Sequence, residues 1–177
     1  MSAPSEPAKV KLVIAVTYNN YEYFTSTLDA LRDNYGEIDF IGDEYNFDFT
    51  HYYADEMGEN LKKRIFSFRE LIPPETIIEV KWFAYNLEKK FSRNNKRNVN
   101  IDPGYLTRDN FLLTTFKNSP HRIYLRNSVY AEIELIFENG EFCDLKWTYP
   151  DYRLAVLKRG LVSIRNIYLS QLREIRR

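Results

Sequence analysis

Four stretches of this chain bring acids, aromatics and a basic or amide group close enough together to do chemistry. The first holds Asp48, Thr50, His51, Tyr53 and Glu56. Asp48 and Glu56 offer hard oxygen donors of the kind that Mg²⁺ or Ca²⁺ takes, and His51 offers a general base. Two acids eight residues apart do not define a coordination shell, so no metal is assigned, and His51 beside tyrosines reads as an edge residue. The second is Asn100-Ile101-Asp102-Pro103-Gly104-Tyr105. It reads as a strand stopped by a tight turn: Asp102 bonds the turn backbone, Pro103 sets φ and Gly104 supplies a positive φ. Turn chemistry leaves Asn100 and Tyr105 over, and with Asp102 they point to a cleft. The third is Tyr149-Pro150-Asp151-Tyr152-Arg153, where a strand hands over to a helix. Asp151 there reads as a helix cap or as part of a ligand wall, with Tyr149 stacking and Arg153 gripping an anion. The fourth is Arg122 facing Glu132 across two strands, either a cross-strand ion pair or two walls of one pocket.

Composition narrows the chemistry. Lys plus Arg and Asp plus Glu are 25 each, giving a formal net charge of zero, which argues against a dedicated nucleic-acid or membrane-surface binder. The charge is uneven, however: residues 1–80 hold 7 basic and 15 acidic side chains, residues 81–177 hold 18 and 10. The basic clusters Lys62-Lys63-Arg64 and Lys89-Lys90 with Arg93, Lys96 and Arg97 read as solvated faces. One cysteine, Cys143, excludes an internal disulfide, and two histidines exclude a His-rich metal site. No assembly of Ser, His and Asp suggests a nucleophilic triad, and no cofactor is implied. None of the six glycines has the spacing of a P-loop or of GxGxxG. There is neither a secretory signal pattern nor an apolar run long enough to span a bilayer, so a cytoplasmic protein with a reduced thiol is expected.

Something must position these residues. Residues 1–8 read as a tail and 9–177 as one domain. Residues 10–17 are a continuous apolar run, the mark of a buried strand. Phe24, Leu28, Leu31 and Tyr35 recur at helical spacing and Gly36 follows as a cap. Residues 38–49 read as one bent strand or two, and 61–71 fit strand or helix. Pro73-Pro74-Glu75 opens a helix carried by Ile77, Val80, Ala84, Leu87 and Phe91. From Phe111 the period becomes two. Keeping apolar residues on one face predicts a three-residue loop Glu138-Asn139-Gly140, pairing Leu135 with Cys143, Ile133 with Leu145 and Ala131 with Trp147. The same logic predicts a loop Arg126-Asn127-Ser128, pairing Leu125 with Val129 and Ile123 with Ala131. The strands are then 121–125, 129–137 and 141–148. A long amphipathic helix, weakened at Gly160, runs from Tyr152. The sum is a single α+β domain: a mainly antiparallel sheet with three main helices.

Several stretches also resemble a known family: NIDPGYL at residues 100–106, HRIYL at 121–125, WTYPDYR at 147–153, and shorter matches at Phe47-Asp48-Phe49-Thr50, Glu56-Met57-Gly58 and Tyr130-Ala131-Glu132. Together they resemble the prokaryotic family filed as domain of unknown function 4416, over nearly the whole chain. The resemblance implies no established activity; members are often labelled GTP-binding, a label that here would need a site unrelated to the P-loop. Combined with the residues above, the expectation is a polar-aromatic cleft that takes a small anionic ligand, a nucleotide or a phosphorylated metabolite. A metal-dependent enzyme acting on phosphate esters or nucleotides and a protein- or RNA-interaction module are the other readings.

Overall fold

The computed structural model describes residues 3–49, 54–94 and 96–175. Nine strands form one antiparallel sheet: β1 (Val10–Tyr18), β2 (Ile38–Ile41), β3 (Tyr45–Asn46), β4 (Lys62–Ile72), β5 (Val99–Leu106), β6 (Asn110–Thr115), β7 (Ile123–Arg126), β8 (Val129–Glu138) and β9 (Glu141–Asp144). Their order is β2-β4-β1-β5-β6-β8-β7, with β3 added to β4 and β9 to β8. Helices α1 (Tyr21–Tyr35) and α3 (Ile77–Phe91) cover one face, and α4 (Ala155–Ile175) covers the other. A one-turn helix, α2 (Ala54–Met57), lies between β3 and β4. β1 is central and buried along its whole length, which is why its sequence shows no alternation. Leu12, Ile14 and Val16 meet α1 and α3, while Val13 and Ala15 meet α4. α4 packs tightly on β4 at Gly160, where an added Cβ would lie 3.0 Å from Ile65 Cδ1. The expected α+β class, antiparallel sheet and long final helix are all present. Among the described residues no helix is long and apolar enough to cross a membrane.

Several local expectations are corrected. Residues 61–71 resolve as strand β4, and 38–49 as two strands. The loop at Asn139-Gly140 has two residues, not three. Both have positive φ, 52° and 91°, so the tight primed turn forms and Leu135 faces Asp144, Ile136 faces Cys143 and Phe137 faces Phe142. The charge placed on the apolar face is met by α4, whose Lys158 reaches Asp144 at 2.8 Å. Cys143 accordingly lies on the other face, half-buried. The second loop is also two residues, Asn127-Ser128, both at positive φ. A bulge at Leu125 then restores the expected pairing of Ile123 with Ala131. β9 ends at Asp144 and α4 starts at Ala155, with a 3₁₀ turn, Pro150–Arg153, before it. Asp151 makes no cap there.

The most consequential correction concerns β5, which does not stop at Asp102-Pro103-Gly104 but runs on to Leu106 beside β1. Gly104 is not at positive φ. It is required because a Cβ would lie 2.1 Å from the carbonyl oxygen of Leu112 on β6.

Candidate functional site

The site begins with a split in the sheet. β5 pairs with β6 only from Gly104 to Leu106, so the first half of β5 has an open edge. Buried backbone groups there need partners, and side chains supply them. The Ile101 N–H donates to Glu88 Oε1 at 2.6 Å, and the Ile101 carbonyl accepts from Lys81 Nζ at 3.5 Å, both from α3. The Pro103 carbonyl accepts from Thr114 Oγ1 at 2.7 Å. A strand residue's N and O face the same neighbour. The N–H that Pro103 lacks therefore belongs to this open side, where no ladder bond is lost. The strands splay apart around a cleft of about 1110 Å³.

A chain of polar contacts forms the cleft floor. Arg97 donates two hydrogen bonds to Glu56, both 2.6 Å, which hold that carboxyl below the usual range. Arg97 Nη1 also donates to Asn100 Oδ1 at 2.9 Å, and Asn100 Nδ2 donates to Asp102 Oδ2 at 2.8 Å. Lys63 Nζ lies 3.8 Å from Asp102 Oδ2 and 2.6 Å from Asp151 Oδ2. It also sits over the rings of Phe47 and Tyr152, at 5.0 and 4.8 Å. Burial acts to neutralise Lys63, but Asp151, Tyr152, Tyr45 and Asp102 outweigh it and hold the ammonium charged well above its ordinary range. Tyr152 is buried, lines the cleft, and its Oη has no hydrogen-bond partner among the described residues.

One wall comes from β8. A bulge at Glu134 shifts the register against β6. Glu132 and Leu135, which strict alternation would put on opposite faces, therefore both reach the α4 side. Glu132 is buried and accepts from Arg122 Nη2 at 3.1 Å, with His121 Nε2 at 2.6 Å from its other oxygen. Arg122 Nη2 also donates to the Tyr149 hydroxyl at 2.7 Å. Glu134 Oε1 accepts from the Tyr149 N–H at 2.6 Å, and burial pushes its carboxyl up to about 8. The opposite wall is α3, where Glu88 is pushed up to about 7 by burial. Its neighbours Lys81 and Lys89 stand over the rings of Phe116 and Tyr85, at 5.6 and 4.6 Å.

The family described as a domain of unknown function, DUF4416, matches residues 8–168. The chain belongs to the DUF4416 family. No curated protein and no solved structure matches it. The two longest DUF4416-like stretches, residues 100–106 and 147–153, meet at the cleft although they are far apart in sequence.

Of the residues singled out from sequence, Glu56, Asn100, Asp102, Glu132, Tyr149 and Asp151 line this DUF4416 cleft. Arg122 acts one step behind them, through Glu132 and Tyr149. Tyr105 does not join them: it packs with the core on the α1 and α3 side of the sheet. Asp48 is exposed between Phe47 and Phe49, which do line the cleft. Arg153 is turned to the carbonyls of Thr148, Leu145 and Lys146, bracing the turn rather than reaching an anion. Thr50, His51 and Tyr53 lie outside the described residues. Lys63, in a basic run that reads as a solvated face, is instead 3% exposed. The missed signal is alternation: Lys63, Ile65 and Ser67 share one face of β4, and that face is core. Arg97, from the second basic run, is likewise turned inward to Glu56 and Asn100. Lys81 and Glu88 carry no local signal, because nothing in the α3 spacing shows that they end at the open edge of β5.

Proposed function

We propose that this DUF4416 protein is a cytosolic binding protein for a small anionic ligand, a nucleotide or phosphorylated metabolite, held in the cleft where β5 and β6 part. The observation that carries the reading is the mouth of the cleft. Lys89 and Lys117 are exposed there beside Tyr85 and Phe116, and Lys81 lies buried behind them. Aromatic faces with ammonium groups over them suit a flat or apolar body joined to an anion. The cavity is large enough to enclose a nucleotide-sized molecule.

Thermal unfolding in the presence of nucleotides and phosphorylated metabolites tests this reading. A ligand that binds only the native protein stabilises it by about 2.7 kcal/mol at a hundred times its Kd. The expected result is a dose-dependent rise in Tm that is reduced in Lys89→Ala and abolished when Lys117→Ala is added. Flat traces with every anion would remove the proposal.

A further inference from the structure

The cleft is chemically divided, and the division narrows the ligand class. Toward α3 and the end of β6 it presents Lys89 and Lys117 at the surface, with Lys81 and Glu88 buried behind them and engaged with the Ile101 backbone. Its floor, at the end away from the Glu56–Arg97 pair, presents the carboxylates of Asp102 and Asp151 around Lys63, with the Tyr152 hydroxyl buried near them and without a partner among the described residues. A phosphate placed on the floor would meet two carboxylates at close range. An ammonium there could donate to the carboxylates but could not accept from the Tyr152 hydroxyl. A hydroxyl group does both, since it donates one hydrogen bond and accepts others. We infer that the ligand is a sugar phosphate, free or as the ribose phosphate of a nucleotide, bound with its phosphate at the Lys89–Lys117 mouth and its sugar hydroxyls on the Asp102–Tyr152 floor. This inference rests on the binding function proposed above and adds the ligand's class and direction.

Two substitutions separate the floor from the mouth. Tyr152→Phe removes only an unpartnered hydroxyl, so the fold keeps its packing. Asp102→Asn keeps the shape and an acceptor oxygen but reverses half of the hydrogen-bond polarity. Calorimetric titration with ribose 5-phosphate, glucose 6-phosphate, AMP and inorganic pyrophosphate reads out both ends. At least one sugar phosphate should bind the wild-type protein, and each floor substitution should weaken it about tenfold. Pyrophosphate binding should change less than twofold in the same variants and fall in Lys89→Ala. Unaltered Tm values for the two floor variants will show that the loss is local. Pyrophosphate binding without any sugar phosphate, or equal losses for both ligand types, overturns the inference and leaves anion binding standing. If none of the four binds, the proposed function fails, and this inference fails with it.

Discussion

At the scale of single residues, the site depends on charges held where water cannot reach them. Lys63 is the clearest case, because it neutralises Asp151 while both are almost wholly buried. Removing one partner of such a pair strands the other, so Lys63→Ala should destabilise the protein by about 3–5 kcal/mol in chemical denaturation. A cost below about 1 kcal/mol would mean that Asp151 is solvated in the native state. Glu88 and Glu134 make a different case, with carboxyls pushed up to about 7 and about 8 by burial. An unfolded chain ionises both near 4.5, so the native state binds protons more tightly. Their contribution to stability is fully present below about pH 4.5 and is lost as pH rises through 7 to 8. Stability in chemical denaturation should therefore fall across pH 5 to 8, and Glu88→Gln with Glu134→Gln should reduce that fall by several kcal/mol, about 6 if both shifts are fully expressed. Equal slopes in variant and wild type would contradict the burial argument. The glutamine keeps the carbonyl oxygen that accepts from Ile101 and from Tyr149, so the hydrogen bonds are not what is being tested.

At the scale of elements, the cleft exists because β5 can touch β6 at Gly104 and leave it immediately upstream. A methyl at Gly104 would strike the Leu112 carbonyl, which is backbone and cannot swing aside. Gly104→Ala should cost roughly 3 kcal/mol or more and should alter ligand affinity as well, because the splay of the strands sets the cleft width. Gly160→Ala is the control. Its Cβ meets side chains alone, the movable tip of Ile65 at 3.0 Å with Phe40 in ordinary contact at 3.7 Å, and the roughly 1 kcal/mol of helix propensity gained offsets the crowding. The same elements show where sequence reading works. α1, α3 and α4 were legible because each repeats one helical period over at least fifteen residues, and β1 because it is an unbroken apolar run. The hairpins misled for a specific reason. Strict alternation assigns Asp144 to a face where a charge looks forbidden, and Lys158, which makes it tolerable, lies on a helix that the strand pattern does not see. Pro103 misled likewise: it marks a chain break unless one side of the strand has no neighbour, and a missing neighbour leaves no local trace.

At the scale of the whole molecule, the acidic first half and the basic second half meet along the cleft. Glu56 with Arg97, and Lys63 with Asp102 and Asp151, are ion pairs that cross from one half to the other. Half of the site was therefore legible and half was not. Asn100, Asp102, Tyr149 and Asp151 sit in strings with more polar and aromatic groups than a turn requires. Lys63, Lys81 and Glu88 become site residues only when distant segments are brought together. A ligand in this position touches both halves, which leads to the last prediction. The Ile101 amide, held by Glu88, and the Tyr149 amide, held by Glu134, mark the two sides of the cleft. Their exchange with solvent reports local opening on each side. A saturating ligand that spans the gap should slow exchange at both amides by about tenfold or more, since opening either side must release it. Slowing at Tyr149 alone would place the ligand on the β8 side and leave α3 out of the site. Slowing at Ile101 alone would confine it to the lysine mouth. Coupled slowing requires that both walls close on one molecule, which is the arrangement that the split between β5 and β6 builds.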